Sequence, residues 1–177
     1  MMDVKRALEE SEGDVESARR VLRERGQAIA AKKSSRETHE GLIEAYVHFN
    51  GRVGVLVEVN CETDFVARTP EFKEFARNVA LHVASMNPLA VSEEGISQEA
   101  INEERSIAQK QAADSGKPEN IQEKIVEGRV NKFVKERALL TQDYVKEPDK
   151  TIGDLLQDTI QKVGENIVIR RFVRYEL

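Results

Sequence analysis

Glu58, Glu62 and Asp64 are the residues of this chain whose types and spacing first suggest chemistry. Carboxylates grouped in this way can hold a hard cation or exchange protons with a substrate. Either task needs a further ligand or an orienting histidine, and nothing else in the sequence converges on the three. His39, His48 and His82 stand in no metal-ligand spacing with one another, with Cys61 or with a carboxylate. His48 falls on a predicted strand and His82 on a predicted helix, where each reads as a surface or packing residue. Gly51 and Gly54 flank a turn, and no Gly-Lys-Ser/Thr follows them, so the chain has no phosphate-cradling loop. It also lacks a nucleophile-elbow motif. The expectation is a chain that is not an enzyme and carries neither cofactor nor metal. A metal-dependent enzyme built on the three carboxylates is the least supported reading.

Composition narrows the class further. Of 177 residues, 40% are hydrophobic and 33% charged, which suits a soluble protein rich in surface helices. The formal net charge of −5 argues against a nucleic-acid-coating role. The basic clusters at Arg19–Arg23, Lys32-Lys33 and Arg170-Arg171 have acids interleaved nearby and read as solvated faces. A single cysteine, Cys61, permits no intrachain disulfide and no multi-thiolate zinc site, and points to a reducing, cytoplasmic setting. No run of about 18 apolar residues is present, so no membrane partner is expected. The N-terminus has neither a signal-peptide core nor a transit-peptide composition.

The elements that must position any site follow from periodicity. Val4, Ala7 and Leu8 share a face of a helix over 2–11, and Val15, Ala18, Val21 and Leu22 share one over 14–25. Gly13-Asp14 supplies the turn and N-cap between them, and Gly26 a stop. This gives a small helical unit over 1–26 that is too short to stand alone, followed by a polar linker over 27–40, helical or flexible. In 41–49 and 52–60 the apolar residues alternate around Asn50-Gly51, which predicts an antiparallel hairpin. A break at Cys61–Arg68 leads to a helix opening at Pro70 and ending near Asn87-Pro88. Helices over 97–114 and 118–136 follow, the second with a stripe of Ile121, Ile125, Val126, Val130, Phe133 and Val134. Thr151 caps a helix over 152–163 and Gly164 ends it. A last strand runs over 166–175, with Ile167, Ile169, Phe172 and Tyr175 as the inward set. The fold class is α+β: a small antiparallel sheet of about three strands packed with helices, a core over 41–177, preceded by the short helical unit. So small a sheet leaves an edge open to a second chain.

Four stretches, in order along the chain, resemble the elongation factor Ts family. They are Met1–Leu8, the hairpin 41–60 with the segment Asn60-Cys61-Glu62-Thr63-Asp64-Phe65-Val66-Ala67-Arg68, then Glu127-Gly128-Arg129, and Val163–Phe172. The resemblance implies a guanine-nucleotide exchange factor that binds elongation factor Tu, a GTPase, and promotes GDP release. Asp64 and Phe65, within the turn Thr63–Val66, match the family segment that inserts beside the partner's magnesium site. Val163 and Gly164 match a second loop at that contact. Met1, Met2 and Lys5 match the end of the N-terminal domain that touches the GTPase. His48 falls near a contact histidine of the family, although the hairpin differs there by a residue. Read without the resemblance, Thr63-Asp64 is an ordinary helix entry and Phe65 a staple onto the core.

The resemblance also implies a compact form, with one half of a duplicated core and no coiled-coil insertion. It implies a first N-terminal helix ahead of Met1 in other members. A compact chain would need a second copy to supply the missing half, so a homodimer is expected, two chains with two copies of the partner. Some compact relatives carry a cysteine beside the position of Phe172. Here Val173 stands there, so no disulfide can lock such a dimer. The competing reading, from a different class, is a protein-binding module without exchange activity, based on the ubiquitin-associated-like N-terminal helices.

Overall fold

A computed structural model describes residues 2–177. The chain begins with α1 (Met2–Glu10) and α2 (Val15–Lys33). The hairpin β1 (Glu40–Val47) and β2 (Val53–Cys61) leads into a single helical turn, α3 (Asp64–Ala67). Then come α4 (Pro70–Met86), the pair α5 (Gln98–Asp114) and α6 (Glu119–Arg137), and a small ribbon, β3 (Asp143–Tyr144) with β4 (Glu147–Thr151). The chain closes with α7 (Ile152–Val163) and β5 (Ile167–Glu176). The main sheet is antiparallel in the order β1-β2-β5, so β2, the middle strand, is the one that runs into the 62–66 turn.

Alternation on β2 sends Val55, Val57, Val59 and Cys61 into the core. There they meet Phe72, Phe75, Ala76, Val79 and Val83 of α4, with Ile152 and Ile160 of α7, Leu139 and Tyr144 closing the sides. Thr69 caps α4, accepting from Phe72 N at 3.3 Å, and Pro70 follows at the first helical position. Thr151 and Asp154 form a reciprocal capping box at the start of α7. Among the described residues no helix covers the other face of the sheet, where Ile43, Val47, Leu56, Val173 and Tyr175 are exposed.

The helical unit differs from its sequence reading in one respect. Gly26 does not stop α2, which continues to Lys33 with Gly26 buried inside it. Gly26 lies beside α7, where a Cβ at position 26 would make only an ordinary contact, 3.4 Å from Gln161 Oε1. Packing of α2 on the body carries the helix through this glycine. Arg23 bonds Asp154 at 2.7 Å and Ala30 packs on the core, so α2 is fastened to the body along its second half.

Two apolar sets were misread. In β5 the bulge opposite Glu58/Val59 adds one residue, because Val59 pairs with Ile169 and Glu58 with Arg171. The inward parity therefore shifts after Arg170. Ile167, Ile169 and Phe172 face the core as expected, but Tyr175 faces out and is 71% exposed. On α6, Ile121 and Ile125 are exposed, because the apolar seam with α5 runs along Val126 and Val130, against Ala108, Ala112 and Ile101. The β3–β4 ribbon gave no periodic signal, since β3 has only two residues.

His82, on α4, is fully buried. Its Nε2 donates to Gln142 Oε1 at 3.0 Å and its Nδ1 accepts from Val145 N at 3.3 Å, so the neutral ring is satisfied on both sides. Burial holds its pKa below the ordinary histidine value, with the Gln142 bond opposing in part. The unfolded chain takes up a proton near pH 6.5, while the folded chain resists it. Stability is therefore complete above pH 6.5 and falls as pH drops toward the depressed folded value, at up to about 1.4 kcal/mol per pH unit. Urea midpoints measured at pH 7.5 and 5.5 should show the loss, and His82→Gln should flatten it.

Candidate partner-binding site

The end of β2 is pinned by Cys61, whose buried thiol donates to Thr63 O at 3.2 Å. Burial, with the nearby Glu165 carboxylate, pushes that thiol up to about 11, so it stays protonated and unreactive at neutral pH. Thr63 then caps α3, accepting from Val66 N at 3.4 Å in an extended conformation. Within the single helical turn, Ala67 is buried and Val66 packs on the core. These two fix the roll of α3 and leave Phe65 on the opposite side, 78% exposed. Phe65 is thus not a staple on the core. Asp64 pairs with Arg68 one turn on at 2.8 Å and keeps 45% of its side chain in solvent. Thr69 Oγ1 donates to Val66 O at 2.8 Å and closes the turn from behind.

The loop after α7 lies beside this turn. Gly164 caps α7 with φ of +79°, a left-handed conformation that favours glycine, and the Lys33 ammonium bonds its carbonyl oxygen. Glu165 reaches Thr63 with both carboxylate oxygens, at 3.0 Å to the amide and 2.6 Å to the hydroxyl. Glu62 accepts from Asn166 N at 2.6 Å. The residues Thr63–Val66 and the pair Val163-Gly164 are therefore brought together.

The remaining expected residues stand apart. His48 sits at the hairpin end of β2, separated from Thr63 by the nine-residue strand, about 30 Å of extended chain. Its ring shares a hydrogen bond with Tyr46 OH at 3.0 Å and lies tilted against exposed Phe49, with ring centroids 4.4 Å apart. Met2 and Lys5 are exposed on α1, with Lys5 near Glu9 at 3.7 Å. Met1 lies outside the described residues. The three carboxylates that opened the sequence reading do not converge: Glu58 faces Arg170 and Arg171, Glu62 faces Asn166 and Arg36, and Asp64 faces Arg68. Among the described residues no group of three His, Cys, Asp or Glu is placed to hold a metal ion, and no helix is long and apolar enough to cross a membrane.

Sequence reasoning missed Glu62, Glu165 and Asn166 as parts of the site. Glu165 lies 102 residues from the threonine it holds, and no spacing rule spans that distance. The available signal was a carboxylate at each of two junctions, Glu62 directly after β2 and Glu165 between α7 and β5.

Comparison with known proteins agrees along the whole chain. The family model for elongation factor TS matches residues 5–159. An elongation factor Ts of Rubrobacter xylanophilus is 73% identical over 177 residues, which is 100% of this chain and 91% of that protein. An elongation factor Ts of Carboxydothermus hydrogenoformans is 57% identical over 177 residues, covering 100% and 82% respectively. One from Thermoanaerobacter pseudethanolicus is 55% identical over 176 residues, 99% of this chain and 86% of that protein.

Proposed function

Because this chain belongs to the elongation factor Ts family of translation elongation factors, we propose that it binds elongation factor Tu and speeds GDP release by inserting the Thr63–Val66 turn beside that GTPase's magnesium and phosphate site. The observation that carries the reading is Phe65: a large aromatic ring in open solvent on a turn whose other side chains are anchored. An exposed aromatic on a rigid support is the kind of anchor that dominates protein interfaces. GDP and its magnesium are held in such GTPases by backbone amides, a lysine and metal coordination. A factor that speeds release must favour the partner conformation in which those contacts are disturbed. The coupling is reciprocal, so bound GDP weakens the factor's grip by the same factor. Phe65 serves as the wedge, Asp64 competes for donors near the metal, and Val163-Gly164 lie alongside. Met1, Met2, Lys5 and His48 extend the contact to other parts of the partner. No covalent chemistry is required of this chain.

A two-fold homodimer completes the reading, with the bare sheet face as its interface. Ile43, Val47, Leu56, Val173 and Tyr175 are exposed there, a cluster that supports pairing with an identical face. The apolar rows surround Glu58, clasped by Arg171 at 2.7 Å and Arg170 at 3.5 Å.

Stopped-flow release of a fluorescent GDP from elongation factor Tu tests the function. The chain should raise the release rate at least about a hundredfold, the scale of allosteric coupling, and light scattering should give the mass of two chains. Binding without acceleration favours the plain binding module, and a monomer at micromolar concentration removes the dimer.

A further inference from the structure

Two short segments far apart in sequence hold each other by the same device. Glu62 follows β2 and accepts from the backbone amide of Asn166 at 2.6 Å. Glu165 precedes β5 and accepts from the backbone amide of Thr63 at 3.0 Å. Each carboxylate thus bonds the amide that follows the other carboxylate in sequence. Hydrogen bonds to an ionised acceptor are shorter and stronger than neutral ones, so a reciprocal pair makes a stiff joint.

The joint is extended on one side by the end of α2. Asn166, 3% exposed, donates from Nδ2 to Arg36 O at 2.8 Å and toward Ser34 O at 3.5 Å. Arg36 reaches Glu62 at 3.4 Å, and Lys33 bonds Gly164 O. On the other side it controls a rotor. The Thr63 hydroxyl donates to Glu165 Oε1 at 2.6 Å, which leaves the lone pairs of the same oxygen to accept from Val66 N. Glu165 therefore sets the hydroxyl that caps α3, and α3 carries Phe65.

We infer that Glu62 and Glu165 form a reciprocal clasp, and that Glu165 is a positioning residue holding the Thr63–Phe65 turn in its binding geometry before any partner arrives. This inference rests on the exchange reading for its consequence, but the clasp itself is a property of the free chain. The clasp contributes little to the apolar core, which is built from β2, α4 and α7. Its removal should loosen the turn and leave the body folded. A turn that visits its competent geometry only part of the time lowers apparent affinity by that fraction, and leaves the bound complex unchanged.

The test compares the full chain with Glu165→Ala and Glu165→Gln in two assays. Hydrogen exchange on the free protein should show amides 63–68 exchanging about tenfold faster in Glu165→Ala, the scale of one charged hydrogen bond. The amides of Val55, Val57 and Val59 on β2 should keep their protection, which verifies the fold. In GDP release, the concentration of factor at half-maximal rate should rise about tenfold while the plateau rate stays, since the defect is in pre-organisation. Glu165→Gln keeps one carbonyl acceptor and should fall between the two. Unchanged exchange at 63–68 in Glu165→Ala overturns the clasp. Faster exchange with an unaltered release curve overturns the positioning role. If the unsubstituted chain itself fails to drive release, the exchange reading falls, and the hydrogen-exchange result alone decides the clasp.

Discussion

Replacing Phe65 with alanine should cut the plateau rate of GDP release about thirtyfold, the equivalent of a strong interface anchor at about 2 kcal/mol. The thermal midpoint should not move, because the ring is 78% exposed and leaves no cavity when removed. The two parts of this expectation separate a wedge from a staple. A staple packs on its own core, and its loss costs stability. Phe72, on the next helix, is fully buried and belongs to that class. Phe65→Leu should recover part of the rate, since it restores apolar bulk without the ring. The defect should also lie in the plateau and not in the half-saturating concentration. A wedge acts in the complex, where it favours the partner state that has lost its grip on GDP. Stopped-flow release across factor concentrations, beside a thermal melt, makes both measurements. A Phe65→Ala chain that releases GDP at the unsubstituted plateau rate would remove the wedge mechanism while leaving the family assignment untouched.

How far the sequence disclosed this arrangement depended on the range of the interaction concerned. The β1–β2 hairpin was legible because Asn50-Gly51 and the valine alternation are local, and the strands formed where they were expected. The α7 helix was legible for the same reason: Thr151 and Gly164 mark its ends by chemistry within one turn. Gly26 misled, because its local signature is that of a helix stop, while the packing of α2 on the body, which carries the helix on to Lys33, is long-range. Tyr175 misled because the bulge at Arg170 reverses the parity of everything after it, and that bulge is set by pairing with β2. At the candidate site, Asp64 and Phe65 came from the family resemblance; nothing in their spacing showed that the ring would point outward. That orientation follows from the burial of Ala67 and Val66 on the other side of α3. Glu165 was invisible because its partner lies 102 residues away, just past the end of the neighbouring strand.

Gly41 illustrates the same point and carries the largest stability effect expected here. It sits on β1 opposite Asn60 with φ of +147°, a conformation that side chains rarely adopt. A Cβ built there lies 2.1 Å from Val59 O, 2.7 Å from Asn60 Cα and 3.0 Å from Val59 C. All three are backbone atoms, so no side chain can swing away. Nor can β2 give way, because Val57, Val59 and Cys61 anchor it in the core. Gly41→Ala should therefore lose about 3 kcal/mol or more, combining backbone strain with a clash in a fixed frame. Gly51 provides the comparison. It too has positive φ, at +69°, but a Cβ there meets nothing within 4 Å. Gly51→Ala should cost only about 1 kcal/mol, the conformational penalty alone. Urea denaturation with unchanged m-values measures both, and equal losses would show that the sheet yields at Gly41. The difference also reaches the site. Gly41 faces the last residues of β2, one residue before Cys61 and three before Thr63, so the strain of the substitution falls at the base of the turn that holds Phe65. Gly41→Ala should lower GDP release at concentrations where the chain is still folded, whereas Gly51→Ala, at the far end of the strand, should leave the turn as it was.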